Sequence, residues 1–259
     1  MKKLIVSGDS CTDLSFESIC HPTWDFSWPK WPEILADYLG MELICVAKGG
    51  QGNKFIYSTI LDQIEDITNK EDIGMVIAGW TQAMRQDWQS GIVKGPRVNY
   101  EKGQWQTWRS RRVQHDGDIL YWVTQTLRYQ ISFQRICERY KLPYWHFQMG
   151  DLFEGYVKGL KPTEDQLDVD GYMIYKGNIE SDTQRIYGRF EYYKDKINNF
   201  IGWPGLQESH NKGFNIHQKV LGNTVEKQIQ NGLVVSKFDD HPNAKGHQAI
   251  ADFLRKEIT

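Results

Sequence analysis

The 259-residue chain carries almost no net charge, −2 at neutral pH, and this absence removes whole classes of partner. Gripping nucleic acid or an anionic membrane surface takes a concentrated basic face, so neither partner is expected. Cysteine is sparse: Cys11, Cys20, Cys45 and Cys137 are scattered without C-x-x-C spacing. That excludes a disulfide framework and a thiolate zinc site, and no metal or cofactor is expected. Long apolar runs are missing too, and Met1-Lys2-Lys3 leads straight into the short run Leu4-Ile5-Val6. With neither a signal-peptide core nor a membrane span, the expected location is cytoplasmic, or otherwise not reached by a classical signal peptide. Repeats and low-complexity linkers are also absent, which leaves a single domain over 1–259 as the expectation.

The chain is rich in aromatics, with ten Trp and thirteen Tyr in a polar sequence of mean hydropathy −0.59. Such rings serve either as core and interface anchors or as flat faces on which sugars stack. Apolar runs at Leu4–Val6, Met41–Val46, Met75–Ala78, Pro143–Phe147 and Leu233–Val235 read as strands. Between them, Pro32–Leu39 closed by Gly40, the series Ile56, Ile60, Ile64 and Ile67, and the stretch from Asp118 to about Tyr140 read as helices. Asn243 caps a last helix with Ile250, Phe253, Leu254 and Ile258 inward. This alternation predicts an α/β fold, a parallel sheet of about five strands with helices on both faces. Two polar, aromatic stretches, 86–117 and 150–230, read as long insertions, the second built of short helices forming a cap.

Chemistry concentrates at the two ends. The first strand breaks at Gly8-Asp9-Ser10 and presents a serine hydroxyl at its C-terminal end, where open α/β sheets build sites. A hydroxyl near its free pKa is a weak nucleophile and needs an imidazole to take its proton and a carboxylate to orient that imidazole. Asp239-Asp240-His241-Pro242-Asn243 supplies both. Asp239 is preferred to Asp240, because residues two apart on an extended segment share a face. In a parallel sheet the turns holding Ser10, Gly50 and Thr81 gather at one edge.

These blocks resemble the SGNH hydrolase superfamily, the GDSL-like esterases and lipases. The resemblance rests on Gly8-Asp9-Ser10, on Gly50 with Asn53, on the turn after the third strand, and on the C-terminal D-x-H-P-N block, in that order along nearly the whole chain. It implies a flavodoxin-like three-layer α/β/α sandwich and ester hydrolysis through a serine acyl-enzyme. By this likeness Ser10 is the nucleophile, His241 the general base, and the N–H groups of Ser10 and Gly50 hold the oxyanion. Two departures stand out. Gly79-Trp80-Thr81-Gln82 replaces the usual G-x-N-D, so Thr81, or Asn53 or Gln82 through a side-chain amide, has to stand in for the asparagine donor. Phe238 occupies the usual aspartate position three before the histidine.

Asp9 reads as a turn acceptor, His247 as a packing or capping residue, and His146 as a satisfied strand-edge residue. Arg85 either binds a substrate carboxylate or holds its loop. Trp80, with Trp88, Trp105 and Trp108, either packs the excursion or lines a glycan cleft. The expected function is a serine esterase on a small O-acyl group of a small molecule or glycan, O-acetyl on carbohydrate above all. The alternatives are an inactive binding module on the same scaffold and a sugar O-acyltransferase. Oligomeric state is unreadable.

Overall fold

The computed structural model describes residues 1–83, 85–90, 104–107, 119–150, 179–202 and 214–259. Among them β1 (Lys3–Ser7), β2 (Glu42–Cys45), β3 (Ile73–Trp80), β6 (Tyr144–Gln148) and β7 (Phe200–Ile201) form one parallel sheet in the order β2-β1-β3-β6-β7. Counting the sheet's own strands in chain order gives 2-1-3-4-5, the flavodoxin-like arrangement, with the order reversing between β1 and β3. A hairpin of β4 (Asp87–Ser90) and β5 (Gln104–Thr107) stands apart from the sheet.

Strand alternation divides the core into two layers. From β1, Leu4 and Val6 point to one face with Ile77 and Phe147, where they meet α1 (Trp31–Leu39) and α6 (Ala244–Ile258) through Trp31, Leu35, Ile250 and Leu254. Ile5 points to the other face with Val76, Ala78 and Trp80, against α2 (Asn53–Asp66) and α3 (Ile119–Tyr140) through Phe55, Ile56, Ile60, Ile64 and Phe133. Ile67, expected inside α2, instead terminates it with an extended backbone, φ −80° and ψ 108°. The predicted three-layer α/β/α architecture is the one observed.

One strand assignment is corrected. Leu233–Val235, read as the last strand, falls instead in β8 (Val234–Ser236) of a separate antiparallel hairpin with β9 (Asp239–Pro242). The fifth sheet strand is β7, from within the stretch read as an insertion. It contributes only Phe200 and Ile201, too short a run for any apolar period to register. Just before it, α4 (Ile179–Lys194) packs on α3 and buries Ile186 and Phe190, so this part of 150–230 belongs to the helical layer. The same stretch holds a π-helical turn, His217–Leu221, and α5 (Val225–Asn231), whereas 91–103, 108–117, 151–178 and 203–213 lie outside the described residues. No described helix is long and apolar enough to cross a membrane.

Candidate active site

The turn after β1 is held by Asp9. One of its carboxylate oxygens accepts the Cys11 N–H at 3.1 Å and the other accepts the Thr81 hydroxyl at 2.8 Å. Its backbone carbonyl takes the N–H groups of Thr12 and Asp13. The expectation that Asp9 serves the turn fits these bonds. They leave Ser10 at the corner, half-buried, facing β9.

Across the turn, Ser10 Oγ lies 2.7 Å from His241 Nε2, and His241 Nδ1 lies 2.6 Å from Asp239 Oδ1. Asp239 is 7% exposed, while Asp240 is exposed and makes no bond to the imidazole. The structure therefore brings together Ser10, His241 and Asp239. Asp239 Oδ1 also accepts the His241 backbone N–H at 3.1 Å, and Oδ2 accepts the hydroxyl of Ser18. Burial works to raise the Asp239 carboxyl, but the bonds from His241, Ser18 and the His241 backbone outweigh it and bring the pKa down to about 2. A carboxylate on Nδ1 fixes the tautomer that leaves Nε2 as the acceptor for Ser10.

The glycine turn before α2 packs beside the serine: a carbon added to Gly49 would sit 3.6 Å from Ser10 Cβ. Gly50 takes the left-handed conformation, φ 76°, and neither its N–H nor that of Ser10 donates to an acceptor among the described residues. The two side chains expected to complete an oxyanion site are spent elsewhere. Asn53 donates both amide hydrogens, to Thr81 O at 3.0 Å and Thr126 Oγ1 at 3.1 Å, and accepts the Thr81 N–H at 2.8 Å. Thr81 gives its hydroxyl proton to Asp9. Asn53 thus clamps the turn after β3, and neither residue has a proton left for substrate.

Trp80 is also corrected. It is fully buried on the α2/α3 face of β3 and donates its indole N–H to His146 Nδ1 at 3.1 Å, so it is a core residue and not a sugar platform. Trp108 and the side chains of Trp88 and Trp105 lie outside the described residues. His146, expected at a strand edge, is wholly buried between β3 and β7, its Nε2 bonded to Asn198 O at 2.8 Å. His247 does cap, accepting the Trp31 N–H that opens α1 at 3.2 Å.

A cleft of about 450 Å³ opens over Ser10 and His241. Arg85 lines it, its guanidinium 3.9 Å from Asp9 Oδ2 and 3.5 Å from Gln51 O. Gln82 and Asp240 share the lining, and the opposite wall comes from Asn215, His217, Gln218, Thr224 and Glu226, a polar set from a segment the sequence left unread. His217 opens a π-helical turn, Leu221 at its end, and its Nε2 lies 3.3 Å from Cys11 Sγ. Burial, with Asp9 and Asp240 adding to it, pushes the Cys11 thiol well above its usual range, which disfavours its thiolate. Sequence reading also missed Phe16, whose ring stacks on the His241 imidazole at 4.3 Å and 25°, and Ser18.

No protein-family model matches the chain, and no curated protein matches it. Solved structures similar to it include a lipolytic protein of the G-D-S-L family from Desulfitobacterium hafniense, 12% identical over 99% of each chain with a TM-score of 0.47. The psychrotrophic esterase EstA from Pseudoalteromonas sp. is 8% identical, over 100% of this chain and 97% of that one, at 0.48. An acetyl xylan esterase, AlAXEase, is 13% identical, over 99% and 100%, at 0.44. At these TM-scores the functional reading has to stand on the chain's own site.

Proposed function

We propose that this chain is a serine ester hydrolase of the SGNH type, with Ser10 as nucleophile, His241 as general base and Asp239 as its orienting carboxylate. The observation that carries it is the unbroken line of hydrogen bonds Asp239–His241–Ser10, with bonds of 2.6 and 2.7 Å. In this reading His241 Nε2 takes the Ser10 proton as the oxygen attacks the acyl carbon, and the developing imidazolium is matched by the Asp239 charge. The oxyanion is received by the free N–H groups of Ser10 and Gly50, each such donor contributing about 3 kcal/mol to lowering the barrier. The alcohol leaves with the proton from Nε2, and water then repeats the attack on the acyl-enzyme with the same imidazole as base. The polar cleft wall favours a hydroxylated alcohol portion over a long acyl chain, and an O-acetylated carbohydrate is the substrate class proposed.

Intact-mass analysis after exposure to a fluorophosphonate, with peptide mapping, tests this together with hydrolysis of 4-nitrophenyl acetate. A stoichiometric adduct on Ser10 and turnover that vanishes in a folded Ser10→Ala are expected. Turnover retained in Ser10→Ala would refute the assignment. That the Asn53 amide and the Thr81 hydroxyl are both engaged elsewhere favours one second reading, a binding module. It predicts no adduct and glycan affinity that survives Ser10→Ala. Acyl transfer shares the same acyl-enzyme and is separated from hydrolysis by product analysis with a sugar acceptor present.

A further inference from the structure

The carboxylate and imidazole ride on the β8/β9 hairpin, which pairs with no strand of the main sheet. A two-stranded hairpin is marginal by itself, so something else must fix its distance from Ser10. The segment following the nucleophile, 14–24, meets the hairpin at four points. Phe16 covers one face of the His241 ring, and the Ser18 hydroxyl donates to Asp239 Oδ2. Cys20 Sγ donates to Phe238 O at 3.3 Å, and His21 Nε2 lies 2.7 Å from Ser236 Oγ. One stretch of chain thus carries the nucleophile at its start and straps down the base and its carboxylate farther along.

Ser18 is the member of this strap that reaches the reacting line. It is 2% exposed, and its hydroxyl occupies the carboxylate oxygen that His241 leaves open. Asp239 is then held from three directions, by the imidazole, the backbone N–H of His241 and Ser18. A buried carboxylate with an oxygen unpaired would turn toward any donor in reach, and each rotation would carry the imidazole off the Ser10 oxygen. We propose that Ser18 is a positioning residue for the Asp239–His241 pair, a fourth link in the line Ser18–Asp239–His241–Ser10.

The proposal rests on the serine-hydrolase reading and predicts a loss in kcat without a loss of substrate affinity, because Ser18 does not line the cleft. Ser18→Ala is expected to lower kcat on 4-nitrophenyl acetate by roughly 10- to 100-fold with KM within about twofold, the scale of a misplaced catalytic group. Ser18→Thr, which keeps the hydroxyl, restores the larger part of it. The low-field proton resonance of the His241 Nδ1–H shifts in Ser18→Ala and returns in Ser18→Thr, a readout that general loosening of the loop does not reproduce. Thermal unfolding of both variants keeps folding separate from positioning. A competent wild type whose Ser18→Ala variant keeps its kcat, or whose Ser18→Thr is no better than Ser18→Ala, overturns the role of Ser18 alone. A wild type that neither labels at Ser10 nor hydrolyses ester removes the serine-hydrolase reading, and this proposal with it.

Discussion

Replacing Asp239 by Asn keeps the shape of the side chain and removes two things, the second accepting oxygen and the negative charge. In the native site Oδ1 accepts from His241 twice and Oδ2 accepts from Ser18. An amide has one accepting oxygen. Turned toward Ser18, that oxygen leaves an NH₂ facing His241 Nδ1, which then has to accept; the ring proton moves to Nε2, where it points at Ser10 and cannot serve as a base. In the alternative rotamer the amide oxygen accepts from His241 and the NH₂ donates to the Ser18 oxygen, which keeps the tautomer but leaves the imidazolium with no negative charge to match it. Because the carboxyl pKa is about 2, wild type carries the full negative charge throughout any assay above about pH 4. The loss therefore does not depend on pH in that range. An aspartate-to-asparagine change in a serine triad costs about ten-thousand-fold in turnover, or about 5 kcal/mol of barrier. Stability should fall by only about 1–3 kcal/mol, for the His241 backbone N–H left facing the amide.

The assay is kcat/KM for a short-chain aryl ester across pH 5 to 9, with urea unfolding of the same sample. Asp240→Asn serves as the internal comparison, since Asp240 is exposed and unbonded to the ring, and it should stay within a few-fold of wild type. A drop smaller than about tenfold in Asp239→Asn, or a larger drop in Asp240→Asn, would refute the assignment of the carboxylate.

Burial holds the pKa of His146 and of His247 down to about 3, the charges of Lys30, His241 and His217 adding to burial at His247. The unfolded chain takes up both protons from about pH 6.5 downward while the native state excludes them until about pH 3, so stability is complete above 6.5 and declines between, by up to about 2.7 kcal/mol per pH unit. A urea midpoint unchanged from pH 7 to pH 5 would contradict this. The glycine turn gives a paired comparison by urea unfolding. Gly50→Ala meets no atom within 4 Å and should cost only the left-handed backbone, about 1–2 kcal/mol. Gly52→Ala drives its Cβ into the Arg85 carbonyl and to 2.8 Å from Asp87 Oδ2, the carboxylate that caps α2 by accepting from Gly52 and Phe55, and should cost about 2–4 kcal/mol; the reverse order would sink the argument.

The sheet and its helices were legible because their apolar residues repeat with the period of the element, as in Ile56, Ile60 and Ile64 or Leu4 to Val6. β7 was not, since two residues carry no period. Ser10, His241 and Asp239 were legible because nucleophilic chemistry needs those residue types together. Trp80 was misplaced because its position next to a turn suggested exposure, whereas strand alternation carries it under the sheet with Val76 and Ala78. The amide of Asn53 and the hydroxyl of Thr81 looked available in one dimension, and only the fold shows that each is already used by the other or by Asp9. Ser18 and Phe16 sit in an aperiodic loop, and their chemistry depends on partners more than two hundred residues away.

The spacing of Asp239 and His241 explains why so little scaffold is needed around them. With one residue between Asp239 and His241, a single carboxylate oxygen reaches both the backbone N–H and the ring N–H of the histidine. The backbone bond closes a local turn of the kind aspartate makes with the residue two ahead, so the carboxylate is set by the same short segment that sets the imidazole. With the aspartate three before, at Phe238, that i to i+2 turn could not form. The pair then travels as one rigid unit, and its relation to Ser10 reduces to the placement of a hairpin. Asn243 anchors one end of that hairpin by capping α6 with a bond to the Gly246 N–H and by donating to Val234 O at 2.8 Å. The strap from Phe16 to His21 anchors its flank. His241 is therefore placed by the two segments that follow β1 and precede α6, while the sheet places only Ser10 and the turns around it.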